Sequence, residues 1–175
     1  MSESYKIHED GLYSVTFAVV GWLDVFTRRV YQDIFTDSIK FCQEKKGLNI
    51  YCFCLMPNHV HFIADSYNGS LSNILRSFKS HTAKTLMAAI SDNPQESRKE
   101  LFLHQFNYYG KKSKHNENQF WKHDSHPFYL YSNEMIDQKI NYIHNNPVEA
   151  GFVNEAHEWR LSSANPNFEI KLSML

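Results

Sequence analysis

His59 and His61 stand one residue apart in the stretch from Tyr51 to Asp65, YCFCLMPNHVHFIAD. Two apolar β-forming runs flank Met56, Pro57 and Asn58, so the second run reads as a strand that opens on HVH. Side chains alternate across a strand, and both imidazoles therefore leave one face of a rigid sheet. Two neutral imidazoles can grip a divalent ion while leaving positions for a further ligand and a substrate oxygen. That is what polarising a phosphodiester requires. The same spacing also suits two hydrogen-bonded structural histidines. Cys52 and Cys54 precede them with equal spacing, but no second Cys or His pair at zinc-finger spacing accompanies them. They read, with Cys42, as reduced core residues.

The elements that must hold this pair begin at residues 12–22, LYSVTFAVVGW, whose period-two alternation predicts a half-buried strand. Asp33 to Lys46 carries Ile34, Phe35, Ser38, Ile39, Phe41 and Cys42 at helical spacing, with Gly47 as its C-terminal cap. A hairpin of Asn49 to Leu55 and His59 to Asp65 follows, turned by Pro57 and Asn58. Ser70 is placed to cap a long helix with Leu71, Ile74, Leu75, Phe78 and Leu86 on its inner side. Its outer side offers Arg76, Lys79, His81 and Lys84, either as a wet face or as phosphate contacts. Thr27, Arg28 and Arg29 leave the same two readings open.

Leu101 to Tyr109 reads as a short helix or a packed irregular segment, and residues 110–119, GKKSKHNENQ, as an exposed loop. Gln119 to His123 suits a fourth strand, and DSHPFYLY, Asp124 to Tyr131, an irregular stretch around Pro127. Ser132 caps a helix through Asn145, which Pro147 stops. The tail from Val148, including Trp159 and Arg160, wraps the domain.

Residues 1–175 fit one domain, and 42% hydrophobic residues suffice for a core. No apolar run is long enough to span a bilayer, and MSESYKIHED lacks a signal-peptide layout, so a soluble, cytoplasmic protein is expected. A net charge of −1 excludes a global pull toward nucleic acid; any polyanion site must come from local clustering. Ten histidines and 15% aromatic residues leave metal binding and base stacking open.

Four separated blocks carry more information than the histidine pair alone: MPNHVHFI at Met56 to Ile63, LSNILRSFK in the next helix, FWKHD at Phe120 to Asp124, and NYIHNNPVEAGFV at Asn141 to Val153. Together, and in this order, they resemble the REP-associated tyrosine transposases. These are relatives of the IS200/IS605 single-strand transposases within the HUH endonuclease group. The resemblance runs from the first strand to Ser162–Ala164. It implies an α+β, ferredoxin-like fold, a four-stranded antiparallel sheet with helices on one face. His59 and His61 become the metal pair for Mg²⁺ or Mn²⁺. The implied partners are hairpin and single-stranded DNA, and a homodimer is admitted. The implied chemistry is strand cleavage and joining through a 5′-phosphotyrosine link.

Counted without gaps from Trp121, the resemblance puts the family's tyrosine at Ser125 and a following histidine at Phe128. Tyr131 and Tyr129 lie nearby as displaced nucleophiles or as packing aromatics. Gln138, seven residues after Tyr131, and His126 are candidate further metal ligands. Tyr142, Asn145 and Asn146 read as a helix C-terminus. For DNA contact the residues are Arg76, Lys79 and Lys84, then Lys111, Lys112 and Lys114 in the polar loop. Two other functions follow from a missing tyrosine: a DNA-hairpin binder that has lost cleavage, and a metal-dependent phosphodiesterase using water.

Overall fold

A computed structural model describes residues 11–113, 117–123 and 127–175. Its chain order is β1 (Tyr13–Ala18), α1 (Arg29–Lys46), β2 (Leu48–Leu55), β3 (His59–Ser66), α2 (Leu71–Asp92), α3 (Lys99–Ser113), β4 (Phe128–Tyr129) and α4 (Asn133–Glu149). The strands form one antiparallel sheet in the order β2-β3-β1-β4, the ferredoxin-like arrangement.

Alternation sorts the strand residues into two faces. Val15, Phe17, Phe53, Val60 and Phe62 point under α1 and α2, into a core that also takes Phe35, Phe78 and Trp121. The aromatic content is spent largely here: Phe35 and Phe78 meet at 5.1 Å and Phe17 and Phe62 at 5.5 Å, both edge to face. Each such pair adds about 0.5–1.5 kcal/mol to the burial of its rings. Trp121 satisfies its indole N–H by donating to Thr82 Oγ1 at 3.0 Å.

Helices on a single face describe α1 and α2 but not α4. Cys52, Cys54 and Ile63 make the opposite face apolar as well, and α4 covers them with Ile143. A hairpin apolar on both sides needs a layer on each. The tail closes the exposed edge of β2: Leu55 N–H donates to Leu161 O at 2.9 Å, and Ser163 N–H to Phe53 O at 2.8 Å. An otherwise open strand edge is thereby paired.

Several boundaries depart from the sequence reading. The first helix begins at Arg29, one turn before Asp33, because fully buried Tyr31 anchors an extra turn and its hydroxyl accepts from Asn93 Nδ2 at 3.1 Å. Ser70 occupies the N-cap position of α2, yet its side chain makes no capping bond. The expected loop from Gly110 begins as helix, since α3 runs to Ser113. Gln119 to His123 is not the fourth strand: Phe120 and Trp121 are buried, with only a single bridge from Trp121 to Val19. Phe128 and Tyr129 pair with Ser14 and Tyr13 instead. Pro147 lies inside α4, which continues to Glu149 because Ala150 N–H still reaches Asn146 O at 3.0 Å.

Candidate active site

Both histidines project from β3 toward the α4 face, with Thr16 directly opposite His61 and Ala18 opposite His59. Their ring centroids are 4.8 Å apart. Each ring is held through Nδ1. Asp24 Oδ1 accepts from Asn58 Nδ2 at 2.8 Å, which turns Asn58 Oδ1 to His59 Nδ1 at 2.7 Å. The His59 Nδ1–H therefore donates, and Nε2 is left with a lone pair. His61 Nδ1 is 2.8 Å from Thr16 Oγ1.

The helix supplies the other wall. Asn146 places Oδ1 3.2 Å from His59 Nε2. Tyr142, one turn earlier on the same side of α4, sets its ring edgewise to His61 with centroids 5.4 Å apart. Tyr142 is half exposed and so open to a large substrate. Lys139 Nζ lies 5.0 Å from the Tyr142 ring centroid and 5.8 Å from that of Phe128. His144 anchors α4 to the tail through a 2.8 Å contact between Nε2 and Ser163 Oγ.

Burial lowers the pKa of His59, with Lys122 adding to the effect against the Asn146 contact. Burial first, then His59 and Lys139, pushes His61 down to about 3. Both imidazoles are neutral at pH 7 and available as ligands. A lone pair on His59 Nε2 facing an amide oxygen is a gap that a cation fills; otherwise the amide must turn its NH₂ inward. His59, His61 and Asn146 thus fit a divalent ion. Among the described residues no cluster of three His, Cys, Asp or Glu does so. All three donors are uncharged, so the ion keeps its positive charge for substrate oxygens. Burial raises the Cys52 thiol to about 11 and Cys54 to about 12, which leaves both protonated as core residues rather than thiolate ligands.

The other expected site residues are not gathered here. Tyr129 pairs with Tyr13, so its side chain lies on the opposite sheet face; its ring is 5.4 Å from that of Tyr13. Tyr131 is 73% exposed and neighbours Tyr129 at 6.2 Å. Gln138 is exposed and donates to Glu134 Oε1 at 3.4 Å. Eight residues separate it from Asn146, about 12 Å along the helix. Ser125, His126 and Lys114 lie outside the described residues.

Arg76 and Lys84 are exposed on α2, across the sheet from the histidines. Lys79 donates to Lys122 O at 3.0 Å and lies over Phe17. Lys111 and Lys112 are exposed in the last turn of α3. Arg28 is held by Glu96 at 2.7 Å. Tyr142 and Asn146 are the residues beside the histidine pair that the sequence reading assigned only to a helix end. Their spacing of four on an amphipathic helix was the available signal.

A sequence profile described as Transposase IS200 like matches residues 13–123, more than half of the chain. The chain belongs to the IS200-like transposase family. A solved structure described as a REP-associated tyrosine transposase bound to a REP hairpin superposes on this IS200-like chain with a TM-score of 0.63. Identity is 17%, and the match covers 93% of this chain and 82% of the other, so it shows a shared fold. A second structure, from Deinococcus radiodurans and described only as a candidate transposase, gives a TM-score of 0.44 at 17% identity, over 83% of this IS200-like chain and 97% of its own. A search of curated proteins returned no match. No helix among the described residues of the IS200-like chain is long and apolar enough to cross a membrane.

Proposed function

We propose that this member of the family cuts and rejoins single-stranded DNA beside a hairpin, with Tyr142 as nucleophile and His59, His61 and Asn146 holding the metal. One observation carries the reading: Tyr142 and Asn146, a turn apart on α4, face His61 and His59 respectively. A nucleophile and a ligand set within one small space are the parts phosphoryl transfer needs. The hairpin comes from the solved relative, whose bound DNA has that form.

A divalent cation, Mg²⁺ or Mn²⁺, would supply charge neutralisation at the scissile phosphate. Tyr142 Oη forms a bond to phosphorus as the bond to the 3′ oxygen breaks. The phenolic proton leaves to solvent and the departing 3′ oxygen takes one up. The product is a 5′-phosphotyrosine and a free 3′-OH, so one phosphoester replaces another and the step can run backward to join a strand.

The test incubates the protein with a hairpin DNA bearing single-stranded flanks and Mg²⁺ or Mn²⁺, followed by mapping of any denaturation-resistant adduct. An adduct on Tyr142, abolished by His59→Ala with His61→Ala, is expected. An adduct on Tyr131 or Tyr129 would move the nucleophile. Cleavage without an adduct would favour activated water, and binding with neither would leave a hairpin-binding protein.

A further inference from the structure

Trp22 is the one residue other than glycine with positive φ among those described, at 54°, and it follows Gly21 at 62°. Side chains resist this conformation because Cβ crowds the backbone carbonyl. Strain of this kind persists where surrounding contacts impose it, and it gathers at working sites. Here the contacts are visible. Trp22 N–H donates to Val19 O at 3.1 Å, and its carbonyl accepts from Asn58 Nδ2 at 3.4 Å, the amide that orients His59. The strained backbone nonetheless delivers a large apolar ring to solvent, 56% exposed.

The ring stands at the rim of the histidine pair, with its centroid 5.6 Å from that of His59. Lys122 Nζ lies 3.7 Å from the indole centroid. The backbone of Lys122 is fixed on both sides: its N–H donates to Ala18 O at 2.8 Å, and its carbonyl accepts from Lys79 Nζ. An indole face joined to an ammonium matches the two parts of a nucleotide, a π-surface and a phosphate.

We propose that Trp22 and Lys122 form a seat for the unpaired nucleotide next to the phosphate presented to His59, with Trp22 stacking the base and Lys122 contacting its phosphate. The proposal rests on the strand-transfer reading for the position of that phosphate. Stacking accepts any base, so the seat sets where a flexible strand lies rather than which sequence is chosen.

The probe is an oligothymidylate of about twelve nucleotides, compared with an abasic strand of equal length, since single-strand binding sites span about 4–16 nucleotides. The wild type should bind the base-bearing strand about 5- to 150-fold more tightly, the equivalent of one stacked base. Trp22→Gly should bring that ratio close to one with the thermal midpoint unchanged or raised, because glycine accepts the positive φ. Lys122→Gln should weaken both strands alike and flatten the salt dependence. An unchanged ratio in Trp22→Gly, or no base preference in the wild type, overturns the seat. An adduct on Tyr142 without base preference sinks the seat alone. Base preference mapped to Trp22 without any adduct sinks strand transfer alone.

Discussion

Under α1 and α2 the sheet presents Val15, Phe17, Phe53 and Phe62 to a continuous aromatic core; under α4 it presents Cys52, Cys54 and Ile63 to Ile143, and His59 and His61 to Asn146 and Tyr142. The same strands supply both surfaces, one residue out of phase. One face spends its side chains on cohesion, and the other holds polar groups whose Nδ1 atoms are satisfied, with His59 Nε2 turned to the Asn146 amide. Division of labour between faces lets the reactive side vary without dismantling the fold. It also makes the contrast testable, because changes on one face should move stability and changes on the other should move chemistry.

The largest separation is expected from Tyr142→Phe. Loss of the phenolic oxygen should remove the covalent DNA adduct altogether, while urea unfolding shifts by less than about 0.5 kcal/mol, as is usual for an exposed position. If the adduct persists in this variant, the chemical face has been assigned to the wrong phenol. Phe62→Ala should do the reverse: a loss of about 3–5 kcal/mol in unfolding free energy, with adduct yield per folded molecule preserved. Ser163→Ala touches both faces, since Ser163 Oγ meets His144 on α4 and accepts from Phe53 N–H at 2.9 Å on β2. A cost of about 1–3 kcal/mol is expected from the unsatisfied Phe53 amide, together with a reduced adduct rate as α4 loosens.

A dependence on acid separates the two faces as well. His61 titrates near 3 in the folded chain, because burial, then His59 and Lys139, oppose its charge. Unfolded histidine titrates near 6.5. Between those values the unfolded chain binds a proton that the folded chain refuses, so stability falls as pH drops through the window and is unaffected above it. Urea midpoints at about pH 7 and pH 4.5 should therefore diverge more in the wild type than in His61→Leu. Equal divergence would place the acid sensitivity elsewhere.

Much of the cohesive face was legible in the sequence because it follows periodicity: β1, the β2–β3 hairpin and α2 announce themselves by alternation or by helical spacing. The failures share a cause. Gly110-Lys111-Lys112 looks like a loop, but Gly110 is buried so closely against Asn118 that a Cβ would lie 2.6 Å from its Cα, and the helix continues through it. Phe128–Tyr129 is too short to show a period and is a strand only because Tyr13 and Ser14 lie beside it. Likewise the histidine half of the candidate site was readable as HVH, a local pattern. The helical half was not, because counting from Trp121 assumed a strand where the chain makes a single bridge, and Asn145-Asn146-Pro147 was read as a stop. Which helix turn reaches β3 is decided by packing across the sheet.

Alternation along β3 also governs how this site can be inherited. His59 and His61 share a phase, so a one-residue insertion or deletion in the Met56–Asn58 turn that shifted β3 against β1 would carry both imidazoles into the aromatic core together. Such a lineage would lose its fold before it lost one histidine. Gradual decay of the pair must therefore proceed by substitution at His59 or His61 themselves, leaving the length of the turn as a fossil of the original register.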